Sequence, residues 1–124
     1  MEARQAIEAI NAEFDDAYNR GDAAGTATGY IEDCALLAPN QPTVRGRQAV
    51  ETFFKEQIEE FGGTVSHEIV EVVVAGDLAY QWATYSVESG EVLDAGKVVE
   101  IFNRQTDGSW KIRLSIFNGD NPEL

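Results

Sequence analysis

Two adjacent glycines, Gly62 and Gly63, separate two halves of the sequence that differ in hydrophobic periodicity. Before them, apolar residues recur every three or four positions, which is the spacing of an amphipathic helix. After them, Val, Ile, Tyr, Phe and Trp alternate with polar residues, which is the period of a β-strand. Helices followed by strands predict an α+β protein whose helices lie on one face of a bent sheet.

Three helices are predicted in the first half. The first, Ala3 to Arg20, has one apolar stripe, and its opposite face carries Glu8, Asn11, Asp15 and Asn19. Asp22 is predicted to cap a second helix, Ala23 to Ile31. A turn and a short extended run from Cys34 to Ala38 follow, and after a loop the third helix spans Arg47 to Phe61.

Four strands are predicted in the second half, at 64–75, 78–88, 95–104 and 110–118. The turn signals Gly76-Asp77, Ser89-Gly90 and Asp107-Gly108 lie between them. Such short connections imply that neighbouring strands are antiparallel. No repeat, linker or low-complexity segment interrupts the pattern, so residues 1–124 are predicted to form a single domain.

The charge of the chain excludes some classes of partner. Nine basic and 22 acidic residues give a formal net charge of −13. This argues against nucleic acid and membranes as partners, because both require basic patches. The acidity favours solubility, or else docking to a basic partner. The N-terminus does not have the pattern of a signal peptide, and no apolar run approaches the roughly 20 residues of a membrane span. We therefore expect a cytoplasmic protein.

No metal or cofactor is predicted. His67 is the one histidine, and Glu71, four residues further along a strand, is too far away to complete a metal pair. The sequence contains no cysteine pair, no phosphate-binding glycine loop and no dinucleotide fingerprint, and nothing supports a Ser-His-Asp triad around His67. The single cysteine, Cys34, is predicted to be a small buried hydrophobic residue.

A pocket is predicted on one face of the last two strands. The turn at Asp107-Gly108 suggests a register that pairs Arg104 with Lys111, Phe102 with Arg113, Glu100 with Ser115, and Val98 with Phe117. This face mixes polar and apolar side chains, as ligand sites do. The other face, which is predicted to be core or dimer surface, is uniformly apolar and carries Val99, Ile101, Ile112, Leu114 and Ile116.

Glu100 and Arg113 would be diagonal neighbours on the mixed face, and two interpretations are open. Glu100 could be a general base or an orienting carboxylate, with Arg113 binding an anionic or enolate oxygen. Alternatively, the two residues form a structural ion pair. Close pairing with arginine lowers the pKa of a carboxyl group, which would make Glu100 a weaker base.

Aromatic residues could also reach the pocket. Tyr18 and Tyr30 are predicted to approach its mouth from the helical half. Trp82 and Tyr85 have opposite parity on one strand, so at most one of them faces inward at mid-strand. A tyrosine could donate a hydrogen bond to an oxyanion, or these residues could be core or rim aromatics. Asp33 is a further candidate pocket acid, or a turn residue.

Several short segments carry a resemblance to a known superfamily. They are Ala17–Asp22 (AYNRGD), Tyr30–Ala35 (YIEDCA), Val44–Arg47 (VRGR), Gly76–Tyr80 (GDLAY), Ala95–Lys97 (AGK) and Asp107–Ile112 (DGSWKI). In this order, over essentially the whole chain, they resemble the nuclear transport factor 2-like superfamily. The similarity is to its ketosteroid-isomerase-like and polyketide-cyclase-like domains and to the kinase association domain group.

The resemblance implies a cone in which a curved antiparallel sheet wraps around the three N-terminal helices. The open end of such a cone admits a small, mostly apolar ligand, and members commonly dimerise through the outer face of the sheet. Some relatives place a functional acid at the position of Asp33. Relatives often carry a polar or acidic pair where this chain has Leu114 and Ser115, and that departure favours a binding role.

Two functional hypotheses follow, because the fold hosts enzymes and non-catalytic domains alike. In the first, the protein binds a small apolar carbonyl compound and is a cofactor-free isomerase, dehydratase or cyclase. In the second, it is a non-catalytic, dimeric ligand-binding or protein-interaction domain.

Overall fold

A computed structural model describes residues 2–121, and within that range helices are followed by strands, as predicted. The first half contains helix α1 (Ala3–Asn19), helix α2 (Ala23–Ala27), strand β1 (Tyr30–Leu37), strand β2 (Val44–Arg45) and helix α3 (Arg47–Phe61). The second half contains strands β3 (Thr64–Ala75), β4 (Leu78–Ser89), β5 (Glu91–Arg104) and β6 (Trp110–Gly119). The predicted α+β class with three helices and a curved sheet is confirmed.

The predicted cap of the second helix is present, but its end is not where the sequence pattern placed it. The side chain of Asp22 accepts a 2.9 Å hydrogen bond from the Gly25 amide. The helix ends at Ala27, and Tyr30 and Ile31 begin strand β1. Tyr30 pairs with Ile112 of β6. This long-range pairing overrides the weak local preference for a helix, so the prediction of a helix to Ile31 and a turn at Glu32 was wrong.

The six strands form one sheet in the order β2-β1-β6-β5-β4-β3. Strands β3 to β6 are antiparallel neighbours, as the short turns predict. Strand β1 joins the sheet next to β6 in parallel orientation. Strand β5 begins at Glu91, four residues before its predicted start, because a bulge near Val87 lets the chain resume pairing close to the turn.

A second bulge changes the register of the last hairpin. Glu100 faces Ser115 and Val98 faces Phe117, as predicted. Beyond them the register shifts between Ile101 and Phe102, so Phe102 pairs with Ile112 and Arg113 is the extra residue. The predicted pairs Arg104–Lys111 and Phe102–Arg113 were therefore wrong; Lys111 pairs with Asn103, and Arg104 pairs with Trp110.

The concave face of the sheet packs against α1 and α3. Ile7, Leu36, Val50 and Phe102 are completely buried between them. The close approach of α2 to α1 depends on Gly25, where a Cβ atom would lie 2.8 Å from that of Ala17. None of the helices within residues 2–121 is long and apolar enough to cross a bilayer.

Three polar side chains of α1 contact the sheet, whereas Glu8 on the same side is exposed. Asn11 exchanges hydrogen bonds with Gln81, and Asp15 contacts His67. One turn further on, Asn19 bonds to the backbone of Val65. The expectation that Asn11, Asp15 and Asn19 lie on the face away from the core was wrong, because these residues, spaced by four, reach strands β3 and β4.

Candidate functional site

A cavity of about 100 Å³ lies between the concave face of the sheet and helices α1 and α3. Most of its wall is apolar or aromatic, with rings from Phe14, Phe53, Phe54 and Phe117. At its deep end, Glu100 and Ser115 are buried. At its outer end, Gln57, Tyr85, Val87 and Asp94 are partly exposed. The site is therefore an apolar cavity with a polar group at each end.

Glu100 is the centre of a hydrogen-bond network at the deep end. Gln81, which is fully buried, donates a 2.7 Å hydrogen bond from Nε2 to Glu100 Oε1. The same amide exchanges hydrogen bonds of 2.8 and 2.9 Å with the side chain of Asn11. Ser115 is a further hydrogen-bond partner of the carboxyl group. These contacts hold Glu100 in one orientation.

Burial decides the ionisation of Glu100. Desolvation raises the pKa of this carboxyl group above its ordinary value, because the interior disfavours the charged form. The positive charge of His67, when that ring is protonated, and the hydrogen bonds from Gln81 and Ser115 act in the opposite direction but are smaller effects. Glu100 therefore holds a proton to higher pH than an exposed glutamate would, so it can donate a hydrogen bond.

Tyr30 lies beside Glu100 as a second donor. Burial raises the pKa of its phenol well above the usual range, and the nearby charge of Glu100 adds to the shift. The phenol therefore remains protonated. Its hydroxyl group also bonds to Ser115, so Tyr30 and Glu100 share this serine at the deep end.

His67 and Asp15 form a close pair on the wall of the cavity. Nδ1 of His67 lies 2.6 Å from Oδ1 of Asp15, and the two side chains are only 14% and 20% exposed. A carboxylate only accepts hydrogen bonds, so Nδ1 carries a proton, and in the neutral ring Nε2 then holds a lone pair. The ring is held by edge contacts with Phe14, 5.6 Å between centroids. This is the arrangement of a histidine base oriented by a carboxylate.

The structure gathers many of the predicted site residues around the cavity. Glu100, Tyr18, Tyr30, Tyr85, Val98, Ser115 and Phe117 all line it. Phe102 also faces inward, but it is completely buried in the core and does not line the cavity.

Three predicted site residues lie elsewhere. Arg113 is exposed and donates a 3.1 Å hydrogen bond to Asn103, because the bulge turns it outward. The predicted diagonal pair of Glu100 and Arg113 is therefore absent. Asp33 is exposed on β1, and Trp82 is 38% exposed on the outer face of the sheet. Of the two aromatic residues of opposite parity on β4, Tyr85 is the one that faces inward.

Among the polar residues of the site, the sequence prediction missed His67 and Asp94, which line the cavity, and Asp15, which contacts His67. His67 alternates with Val65 and Ile69, so the period of β3 does indicate that it faces inward. Asp15 lies four residues after Asn11, which is the spacing of one helix face. Asp94 has the same parity as Val98 and Glu100, but it lies one residue before the predicted start of the strand, so this signal was not used.

Metal ligands do not converge in the described part of the chain. Among residues 2–121, no group of three or more His, Cys, Asp or Glu side chains is arranged to hold a metal ion. The polar side chains of the cavity can form hydrogen bonds and transfer protons.

Helices enclosed by a curved, mostly antiparallel sheet, with an apolar cavity inside the curve, define the class of nuclear transport factor 2-like folds. The chain belongs to the SnoaL-like domain family, whose model matches residues 11–113. No curated protein matches the chain.

Solved structures share this fold. A ketosteroid isomerase-like protein from Erwinia carotovora atroseptica has a TM-score of 0.83 at 23% identity, with 95% of this chain and 96% of that chain covered. A domain of unknown function with a cystatin-like fold from Nostoc punctiforme has a TM-score of 0.86 at 20% identity, with 95% and 77% covered. A protein from Catenulispora acidiphila, solved in complex with S-DNPA, has a TM-score of 0.76 at 16% identity, with 97% and 95% covered. At these identities the likeness shows the fold alone.

Proposed function

We propose that the protein binds a small, mostly apolar carbonyl compound in its cavity and moves a proton next to the carbonyl group without a cofactor. The observation that carries this proposal is the pairing of His67 with Asp15 at one wall of a cavity whose deep end holds Glu100 and Tyr30, two acids whose pKa values are raised by burial. A base and an acid held apart in one apolar cavity are what such a reaction requires.

In the proposed reaction, His67 Nε2 removes a proton from the carbon next to the carbonyl group. The electrons of the broken C–H bond form the double bond of an enolate, and the negative charge moves to the carbonyl oxygen. Glu100 and Tyr30 donate hydrogen bonds to that oxygen. In a β,γ-unsaturated carbonyl compound the enolate is conjugated with the second double bond, so return of the proton from His67 to the γ-carbon moves that double bond and completes an isomerisation. Asp15 keeps the imidazole in the required tautomer and stabilises its protonated form.

This assignment reverses the role first considered for Glu100. The carboxyl group has no arginine beside it, and its pKa is raised by desolvation rather than lowered by an ion pair. It is therefore better suited to donate a hydrogen bond than to remove a proton, and His67 takes the role of the base.

The size of the cavity limits the ligand. Its volume of about 100 Å³ is comparable to an apolar cavity of about 150 Å³ that takes up one benzene ring. A single ring or a short chain fits this space with little movement of the walls.

A suitable test is exchange of the α-protons of cyclohexanone in deuterated buffer, followed by NMR. The protein is expected to accelerate exchange over buffer, and His67→Gln is expected to reduce the enzymatic rate about 100-fold, which is a usual contribution of a general base. Glu68→Gln is the matched control, because this neighbour on β3 is exposed and its loss should leave the rate unchanged. Bound ketone that exchanges no faster than in buffer would support the alternative, a non-catalytic binding domain.

We also propose that the protein is a homodimer that pairs through the outer face of the sheet. Trp82, Val99 and Ile116 are cross-strand neighbours in one row of β4, β5 and β6. They are 38%, 40% and 41% exposed, which is unusual for a contiguous set of large apolar side chains. A second copy of the same face would bury this row.

A further inference from the structure

The outer end of the cavity contains a polar pair that the proposed reaction does not use. The hydroxyl group of Tyr85 on β4 donates a 3.2 Å hydrogen bond to Oδ2 of Asp94 on β5. The other carboxylate oxygen, Oδ1, is buried and has no hydrogen-bond partner within residues 2–121. A buried acceptor of this kind is costly to leave unpaired, so a donor from outside the chain would be favoured there.

No cation of the described chain neutralises Asp94. Lys97, the basic residue nearest to it in sequence, is 2.7 Å from Asp120 instead, and none of the ion pairs among residues 2–121 includes Asp94. The negative charge acts on the cavity. After burial, the charge of Asp94 is the next largest cause of the raised pKa of both Tyr18 and Tyr85.

Two glycines pack closely against Asp94 and Tyr85. A Cβ atom added at Gly119 would lie 3.0 Å from Oδ1, so the oxygen rests against a glycine rather than a side chain. A Cβ atom at Gly96 would lie 2.7 Å from the Tyr85 hydroxyl oxygen. The terminal torsion of aspartate is soft, and Asp94 lines the cavity. Rotation about this torsion would turn Oδ1 from Gly119 toward a ligand in the cavity.

Aromatic rings surround the same end of the cavity. Tyr85 packs edge-to-face on Phe117 at 6.0 Å, and Phe117 packs on Phe53 at 6.2 Å. The faces of such rings attract organic cations. An unpaired carboxylate beside aromatic walls is complementary to an ammonium group on an apolar skeleton.

We propose that Asp94 and Tyr85 form a binding subsite for the cationic amine of the ligand. This proposal rests on the proposed function, which places the carbonyl group of the same ligand at the deep end. Together they define the substrate class as an amino ketone. Asp94 and Glu100 both face inward from β5 and line the same cavity. The amine of such a ligand would lie at the outer end of the cavity.

The test compares two probes that share one skeleton, phenethylamine, which is a cation at neutral pH, and 2-phenylethanol, which is neutral. Neither contains a carbonyl group, so their binding, measured by calorimetry or NMR titration, does not depend on the proposed proton transfer. We expect the amine to bind about 10-fold more tightly than the alcohol, and Asp94→Asn to reduce this ratio to about one. Glu91→Gln is the matched control, because it removes the same charge from an exposed position on the same strand and should keep the ratio.

A second variant keeps the proposal testable if Asp94→Asn does not fold. Tyr85→Phe retains the aromatic ring of the subsite and frees the second oxygen of Asp94, so the ratio should remain at 10 or rise, and a fall to about one would overturn the proposal. A ratio near one in the wild-type protein overturns the proposal, as does an undiminished ratio in Asp94→Asn. Because cyclohexanone exchange is a separate measurement, loss of that activity with the amine preference intact would reject the acid–base proposal alone.

Discussion

At the scale of single residues, the buried carboxyl group of Glu100 makes the stability of the protein depend on pH. Its pKa in the folded state is raised above the ordinary value of 4.5. At pH values between the ordinary pKa and the raised pKa of the folded state, the folded protein holds a proton that the unfolded chain has released. The contribution of Glu100 to the free energy of unfolding is therefore present at low pH and is lost as the pH rises through the folded pKa.

We expect Glu100→Gln to remove this contribution. Urea denaturation of both proteins at a series of pH values upward from 4.5 should show the variant gaining stability relative to wild type as the pH rises. The glutamine retains an oxygen that can accept from Gln81. Glu68→Gln, at an exposed position, should track the wild type at every pH. Parallel curves for Glu100→Gln and wild type would contradict the assignment of a raised pKa.

The sequence predicted the direction of a side chain correctly where the strand alternates regularly between its two faces. The alternation of β5 and β6 correctly paired Glu100 with Ser115. The same alternation failed for Arg113, because the bulge inserts one residue and reverses the direction of the side chain. The pairing of His67 with Asp15 joins residues 52 positions apart, and no local pattern encodes such a contact.

At the scale of elements, the side chain of Asn19 binds the backbone of the edge strand of the sheet. Strand β3 is an edge strand. The Oδ1 atom of Asn19 accepts a 2.7 Å hydrogen bond from the Val65 amide, and its Nδ2 atom donates a 3.1 Å bond to the Val65 carbonyl. The side chain of Asn19 thus forms hydrogen bonds with both the N–H and the C=O group of Val65, which a neighbouring strand would bind if β3 were not at the edge.

Asn19→Ala should lower the free energy of unfolding by about 1–3 kcal/mol, because both backbone groups of Val65 lose their partner in a partly buried place. Gln5→Ala is the control, since it removes an exposed amide from the same helix and should change stability by less than about 0.5 kcal/mol. Chemical denaturation measures both. The Val65 amide should also exchange with solvent faster in Asn19→Ala; equal effects of the two substitutions would rule out this clamp.

The bounds of helices and strands were predictable where the hydrophobic period and the residues that end an element agree. Helix α3 and strand β3 have the predicted bounds, because both are long, periodic and separated by two glycines. Strand β1 was assigned partly to a helix, since its pairing with β6 is parallel and comes from a distant part of the chain. The start of β5 was also missed, because the bulge beside the turn has no signature in the sequence.

At the scale of the whole molecule, the net charge opposes the proposed association of two copies, and the exposed apolar surface favours it. Two copies with a net charge of −13 each repel one another, while the row of Trp82, Val99 and Ile116 favours their contact. Salt screens the repulsion between exposed charges. The proposed homodimer should therefore become tighter as the ionic strength rises.

Sedimentation of the wild-type protein at micromolar concentration should give twice the monomer mass of 13.6 kDa. Val99→Lys, at the centre of the row, should give the monomer mass, because a charge buried in the interface is costly. Val92→Lys makes the same exchange at a valine that is 59% exposed near the β4–β5 turn, and it should leave the dimer intact. A wild-type monomer at high salt would exclude this mode of pairing.

The contacts between α1 and the sheet have a consequence for how activity relates to folding. Asp15 and Asn11 meet partners 52 and 70 positions away, and both contacts form only when the helix is seated. A molecule with α1 detached has neither an oriented His67 nor an anchored Gln81. Only molecules with α1 docked would carry out the proposed reaction. The measured rate would therefore depend on the fraction of molecules in which α1 is docked, whereas a spectroscopic signal is an average over docked and detached molecules.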